Sequence, residues 1–583
     1  MACSKIFSGD LPELTNEIIK CLKKDFSTLY SCILVNRLWC RLAIPLLWED
    51  PFCIPTQNYR CIEIYLSYLN ENDKKKFDEY GIINILLPSN TLLFNYPSFI
   101  KYLNINSTYH SIKMWVGSLV NYDHEKLEKL VYRSLSKVFI ENEGILRSFE
   151  IVMYADVYCK YFNDVIELIL QNPNFIYNIK NFKIHTCNIS SRNIENAIIP
   201  FLKFLYSNCN SISSLHFVAY FALYNTKNFL LIEKYLQQVI ISQHNLKIIS
   251  FGRHNNLYKP FLSLKNSNCS NTLNTIIFHY TDFRNINNIL QEVFNQLNVL
   301  ESIHILYCYL NPDFVQQVIK VTKPFKLRSL FIKEILHIES LQLLLQKYGD
   351  YLENFELTIL HTDGYEESRR QLLKLIIKYC TKIRYFTSDK PNDIDIYLLI
   401  ENIGQNINYL TILVDNYDYH TFYDEYSSIV LQNLGQVLPS KLEYLSLSLS
   451  FNTNDFEIFL KNSQNTFIKK LLIKNTMKNG GENVLFNIKK HIMKKEKVKY
   501  LAILLETLPS HNDGKELFFL KDEVNEFKLH NIIVQKYRNL QVHECKVKMG
   551  QSKYSTCNKI HIISVYEEAF YIINNPTNHY QII

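Results

Sequence analysis

The chain has 583 residues, enough for two or more domains or one long repeat array, and its 47% hydrophobic and 20% charged content excludes a disordered chain. A formal charge of +7 spread over that length is too dilute to argue for nucleic-acid binding. The 14 cysteines include no Cys-x-x-Cys pair, and the nearest neighbours, Cys32/Cys40 and Cys53/Cys61, lie eight apart, which is not zinc-ligand spacing. Met1 to Lys5 lacks an apolar signal core and no run of eighteen apolar residues occurs. An intracellular chain, cytoplasmic and/or nuclear, with reduced thiols and no membrane span is therefore expected.

The first fifty residues hold two of the three tryptophans. Leu14, Ile18, Cys21 and Leu22 fall at helical spacing after Pro12, with Glu13 near the positive end. A second helix is predicted from Asp25 as N-cap, with Phe26, Leu29, Cys32 and Ile33 on one face. Asn36 caps a third, with Trp39, Leu42 and Ala43 inward and Pro45 ending it; Trp48 and Leu47 are expected to pack onto the following segment. So short a stretch buries few apolar side chains alone, so its surface needs a covering partner or the next domain.

The Leu11-Pro12 opening, the Glu17-Ile18-Ile19 and Leu22 pattern, Val35-x-Arg37-x-Trp39 and the terminal Pro45-Leu46-Leu47-Trp48 together resemble the F-box. Leu11-Pro12-Glu13-Leu14 is one residue shorter than in many members of that family. The resemblance implies a three-helix module over 8–50 that docks on a Skp-type adaptor, which in turn binds a cullin. Carried onto this sequence, it makes Leu11, Pro12, Ile18, Leu22, Leu29, Val35 and Trp39 adaptor contacts or their immediate support. The alternative is a small helical cap on the next domain.

Residues 51–144 read as a connecting segment and N-terminal cap, too apolar for a flexible linker. A helix is expected around Cys61, Ile64, Tyr65, Tyr68 and Leu69, ended by the polar run Asn70 to Lys76; a strand is expected over Ile82 to Leu87, and Trp115 is expected to be buried.

From 145 to 510 the pattern apolar-x-x-apolar-x-apolar recurs, from Leu146/Phe149/Ile151 to Val498/Leu501/Ile503. Phe149 to Leu501 spans twelve steps with a mean of about 29 residues, and the three steps from Ile249 to Leu330 are all 27. Each alternating pair reads as a short strand with its side chains inward. Helical stripes lie between the strands: Ile286, Leu290, Val293, Phe294 and Leu297; Phe314, Val315, Val318 and Ile319 after Asn311-Pro312; and Leu341, Leu344, Leu345 and Tyr348 before Gly349. The basic stretch Lys469 to Lys499 is expected to form a solvated helix face, and 511–583 the C-terminal repeats or cap.

One strand and one helix per unit resembles a leucine-rich repeat, with Cys187 and Cys308 at the Cys/Asn position of that consensus. The fold class expected is α/β: an N-terminal three-helix F-box followed by an irregular leucine-rich-repeat-like solenoid, parallel strands inside and helices outside. The alternative is an all-helical solenoid. Neighbouring units must stack, since none buries its own apolar face. Lys183, His185, His216, His279, His304, Phe331 and Lys333 then point into a concave face and are candidate target contacts. The four histidines are spread over several strands, so exposed polar side chains are expected there instead of a metal site.

No phosphate-binding Gly-rich loop, nucleophile elbow or His-Glu-x-x-His occurs, and no cysteine stands out as a nucleophile. No cofactor is expected. The combination resembles the F-box/leucine-rich-repeat proteins, including the large divergent sets of some fungi. It implies a non-catalytic substrate receptor of an SCF-type ubiquitin ligase, holding a protein target near the ligase core. The alternative is a non-degradative adaptor-binding scaffold.

Overall fold

The computed structural model describes residues 11–540 apart from 24–25, 54–58, 83–91, 120–123, 154–155, 188, 221–225, 253–257, 266–267, 285, 334, 336, 359–365, 390–393, 415–422, 477–480, 494–496 and 506–514. The described residues divide into two compact units, one within 11–274 together with 296–299, the other within 275–295 and 300–540.

The first unit opens with three helices, α1 (Pro12–Cys21), α2 (Phe26–Ile33) and α3 (Arg37–Leu47). Pro12 sits in the first turn of α1, where a missing N–H costs nothing, and the Thr15 hydroxyl donates to the Leu11 carbonyl at 2.8 Å. The Asn36 side chain accepts from the Trp39 N–H at 2.9 Å, the expected cap of α3. The expected cap Asp25 lies outside the described residues. Pro45 does not end α3: the helix runs on to Leu47, and the Trp48 N–H closes its last turn on Ile44 at 3.1 Å. A proline this close to the end removes one ladder bond without a following turn to break. Ile19, Leu29, Cys32, Trp39 and Ala43 form the shared core, against which Leu47 packs. Trp48 does pack forward, 5.2 Å from the Tyr65 ring and 4.4 Å from Tyr96.

The connecting segment contains α4 (Cys61–Leu66), α5 (Glu71–Lys74), β1 (Tyr102–Asn104), α6 (Ile105–Leu119) and α7 (His124–Glu141). The polar run from Asn70 is itself helical, because Asn70 caps α5 by accepting from the Asp73 N–H. The strand expected over Ile82 to Leu87 lies almost wholly outside the described residues. Trp115 is buried, with Nε1 donating to Glu63 Oε1 at 3.1 Å. β1 went unread in the sequence: at three residues it is too short to show alternation, yet it starts the parallel sheet.

Strands β2 (Ser148–Met153), β3 (Asn181–Cys187), β4 (Ser214–Tyr220) and β5 (Ile248–Gly252) continue that sheet, each paired in parallel with the strand before. Helices α8 (Asp156–Gln171), α9 (Ile199–Asn208), α10 (Thr226–Ser242) and α11 (Tyr258–Ser263) alternate with them. In the second unit β6 (Thr275–His279), β7 (Ser302–Leu306), β8 (Lys326–Ile332), β9 (Asn354–Leu357) and β10 (Tyr385–Asp389) are followed by β11 (Tyr409–Leu413), β12 (Lys441–Leu449), β13 (Phe467–Asn475) and β14 (Val498–Leu505). From β6 to β14 each is parallel to the next. Their crossover helices are α12 (Asn287–Gln296), α13 (Pro312–Lys320), α14 (Ile338–Tyr348), α15 (Glu366–Tyr379), α16 (Ile394–Ile403), α17 (Tyr423–Val437), α18 (Thr453–Asn462) and α19 (Gly481–His491). The unit closes with β15 (Lys515–Glu516), antiparallel to β14, then α20 (Lys521–Leu529), β16 (Ile533–Val534), parallel to β14, and α21 (Tyr537–Leu540). These strands exclude the all-helical solenoid.

Every inward residue of the repeated pattern is buried, from Leu146, Phe149 and Ile151 to Val498, Leu501 and Ile503. Within each unit the middle anchors line up, as in Phe149, Phe182, Leu215 and Ile249, or Leu330, Phe355, Phe386 and Leu410. The 27-residue step from Ile303 to Leu330 is a correction: the register shifts after Ile303, so that Ile305 faces Leu330. A bulge absorbs the extra residue, a feature that spacing alone does not reveal. Gly349 also differs in its reason. Its φ of −56° needs no glycine, but an added Cβ would lie 2.5 Å from the Tyr379 carbonyl oxygen.

Candidate functional site

Packing of the three N-terminal helices uses Thr15 and Ile19 on α1, Leu29 and Cys32 on α2, and Trp39, Ala43 and Ile44 on α3. The inward face of α1 is therefore rotated from the one predicted: Leu14 and Cys21 are exposed and Ile18 is half-buried. Cys32-Ile33-Leu34-Val35 presents four consecutive apolar residues, and a helix end can bury only part of such a run. Leu34 is left 77% exposed and Val35 44%, with Leu11 at 38% and Leu14 at 47%. Of the seven residues predicted for adaptor contact or support, Leu11, Pro12 and Val35 are exposed, Ile18 and Leu22 half-buried, and Leu29 and Trp39 buried in the core of the three helices. Sequence reasoning missed Leu14, Tyr30 and Leu34 as surface residues; the unbroken apolar run was the signal for Leu34.

These helices are fixed to the sheet. The Glu49 carbonyl accepts from the Lys101 and Tyr102 N–H groups at 3.0 and 3.1 Å, and Lys23 pairs with the Glu49 carboxylate. The backbone bonds lead directly into β1.

The strand face opposite the inward anchors carries the predicted target contacts. In the first unit Asn104, Glu150, Lys183, His216 and Ser250 occupy one register row. Asn104 donates to Glu150 at 2.9 Å, Lys183 lies 3.9 Å from Glu150, and His216 Nε2 meets Ser214 Oγ at 2.8 Å. His185 stands one row along, between Val152 and Val218, and is buried.

In the second unit His304 and Phe331 are buried too, while His279 and Lys333 are half-buried. The expectation of exposed histidines is thus corrected for His185 and His304. His304 Nδ1 bonds Ser329 Oγ at 2.8 Å, and Ser329 accepts from Asn354 at 2.9 Å, a polar chain along one row. Phe331 stacks on Tyr385 with centroids 5.8 Å apart and meets the Tyr307 edge at 5.6 Å.

Tyr280 and Tyr307, directly after β6 and β7, were not singled out in the sequence. Both have positive φ, 48° and 56°, which bulky residues rarely adopt. Their N–H groups extend the ladder, to Leu306 at 2.9 Å and Phe331 at 2.8 Å, which offsets the strain. The rings stack 5.1 Å apart with the Lys333 ammonium over both, and Tyr307 donates to the buried Glu356 at 2.5 Å.

Among the described residues no group of three or more His, Cys, Asp or Glu is placed to hold a metal, and no helix is long and apolar enough to cross a membrane. Burial pushes the Cys61, Cys209, Cys308 and Cys380 thiols up to about 12, which suppresses the nucleophilic thiolate. Cys308, at the consensus position named above, instead accepts from the Thr281 N–H at 3.4 Å and ties two repeats together. The Cys187 side chain lies outside the described residues. Of the basic stretch, Lys469 pairs with Glu443 and Lys490 with Glu457, each near 2.9 Å, and Lys489 with Glu523 and Glu526 at 2.6 Å. Lys494 and Lys495 lie outside the described residues.

Comparison with models of known protein families gives no match, and comparison with curated proteins gives none.

Proposed function

We propose that this chain is a substrate receptor of an SCF-type ubiquitin ligase, its three N-terminal helices docking on a Skp-type adaptor and its repeats holding a protein target. The observation that carries the reading is the apolar surface Leu11, Leu14, Leu34 and Val35, left exposed on a helical module anchored to β1 through Glu49. Exposed apolar residues grouped on one small module mark a partner surface. The half-buried Lys183, His216, His279 and Lys333 are the target contacts this reading favours on the strand face. The chain itself supplies no catalytic group; it raises the local concentration of target at the ligase.

The test is Leu11→Ala with Pro12→Ala in the full chain. Adaptor binding is expected to fall at least tenfold with the thermal transition unchanged, because both side chains are exposed. Unchanged binding would overturn the site. Recovery of adaptor and cullin together supports the receptor, whereas adaptor alone favours the scaffold.

A further inference from the structure

Two residues before each middle anchor, where the parallel strands begin, one register row crosses the first unit. The Arg147 N–H bonds the Lys101 carbonyl, that of Lys180 bonds Arg147, that of Ser213 bonds Lys180 and that of Lys247 bonds Ser213, each at 2.8 Å. The row therefore reads Lys101, Arg147, Lys180, Ser213, Lys247, one residue from each strand from β1 to β5. Arg147, Lys180 and Lys247 are exposed and Lys101 is half-buried. Neighbouring strands lie about 4.8 Å apart, inside the screening length of about 8 Å at physiological salt, so like charges in such a row repel and their potentials add. Burial, and after it the Arg147 charge, lowers the Lys101 pKa, with Glu49 opposing.

The chain does not neutralise this row. Among the described residues none of its cations makes an ion pair, and the acids nearest in sequence are engaged elsewhere. Lys23 holds Glu49, Lys137 lies 3.6 Å from Glu141, and Glu150 receives Asn104 at 2.9 Å and Lys183 at 3.9 Å. The same row in the second unit is built differently. Arg328, Glu353, Arg384, Asn408, Glu443 and Lys469 occupy it, with carboxylates set between the cations. Arg328 lies 3.7 Å from Glu353, and Lys469 lies 2.9 Å from Glu443. A repeat array can thus satisfy this row from within, and the first unit leaves it charged.

We infer that Lys101, Arg147, Lys180 and Lys247 form a docking rim for an extended acidic segment of a protein partner, laid across β1 to β5 with carboxylates on alternate residues. Four strand steps make the row about 19 Å long, which about six extended residues cover at about 3.3 Å each. Alternate carboxylates then stand about 6.6 Å apart, a spacing that flexible lysine stems can follow. Arg147 offers a planar fork to one of them. Ile145 and Tyr177, 41% and 49% exposed, stand two and three residues ahead of Arg147 and Lys180 and give a peptide apolar contact beside the charges. Single-stranded nucleic acid asks for a ring at successive bases, and the row itself contains none. The inference stands apart from the adaptor reading, because neither the three N-terminal helices nor a ligase enters it.

The test is fluorescence anisotropy of the full chain with a fluorescein-labelled peptide of four Glu-Val repeats, against the matching Gln-Val peptide and a labelled oligothymidylate. The unaltered chain is expected to bind the Glu-Val peptide, more weakly as salt rises, and not the Gln-Val peptide. Arg147→Gln/Lys180→Gln/Lys247→Gln is expected to weaken that binding about tenfold, the sum of three exposed ion pairs. Its thermal transition is expected at or above that of the unaltered chain, since neutralisation relieves repulsion. Lys75→Gln/Lys113→Gln/Lys203→Gln removes the same charge from exposed positions off the row and is expected to leave binding unchanged. No binding of the Glu-Val peptide, or equal loss in the two triple variants, overturns the inference. Tighter binding of the oligothymidylate that the row variant alone loses would make the rim a nucleic-acid site and overturn the peptide as occupant. Should the row variant fail to fold, Arg147→Gln/Lys180→Gln decides, with a loss of about fivefold expected and unchanged binding overturning the site.

Discussion

At the scale of single residues, three contacts carry measurable consequences. The Asp73 carboxylate receives Lys137 at 2.5 Å and Lys76 at 2.6 Å, and these bonds, that from Lys137 foremost, hold its pKa down to about 2 from an ordinary 3.8. A depressed carboxylate contributes stability that is present above about pH 4 and lost as pH falls toward 2, worth about 2 kcal/mol here. Asp73→Asn is expected to remove that increment at pH 7 and to flatten the stability profile between pH 4 and 2 in a denaturant titration. Arg369 is buried, with Nη1 2.9 Å from Asp389 and Nη2 2.8 Å from Ser388. Arg369→Ala strands a buried carboxylate and is expected to cost about 3–5 kcal/mol, while Arg369→Met with Asp389→Leu recovers most of it. If the double variant is as unstable as the single, packing and not charge explains the site. At Gly349, helix propensity favours alanine by about 1 kcal/mol, but the Cβ would sit 2.5 Å from backbone that cannot rotate away. The clash wins, and Gly349→Ala is expected to lower the thermal midpoint.

At the scale of elements, what the sequence showed depended on how local the cause was. The cap of α3 was legible because Asn36 and the N–H it satisfies are three residues apart. The strands were legible because each inward anchor is buried on its own account. The face of α1 was misread because apolar residues outnumber the places that the small core offers, so Thr15 went in while Leu14 stayed out. The bulge between β7 and β8 was invisible, since it depends on how two strands meet, as was the packing of α21 on β12 to β14. The candidate contacts were legible as strand positions but not as environments: the burial of His185, His304 and Phe331 depends on neighbours far away in sequence. Asn36→Ala tests the local kind of claim. It is expected to cost about 1 kcal/mol and to raise hydrogen exchange across α3 without altering β2 to β5.

At the scale of the whole molecule, a stack in which each strand and helix touches mainly the next should distribute damage by distance along the stack. Phe355 is fully buried in β9 and stacks on Phe386 at 6.0 Å with the rings 4° from parallel; its register partners are Leu330 and Phe386. Phe355→Ala deletes a ring from the middle of the second unit, at a cost of about 3–5 kcal/mol. In a repeat array, stability is close to a sum of unit terms and nearest-neighbour terms. The loss should therefore fall on β8, β9 and β10, whose amides are expected to exchange many-fold faster in the variant. β12, β13 and β14 lie three, four and five strands away from Phe355 and connect to it only through intervening strands, and they are expected to keep their protection. Hydrogen exchange read strand by strand makes the comparison. A uniform rise through β14 would mean that the second unit unfolds as one cooperative body, and the nearest-neighbour description would then be wrong for this chain.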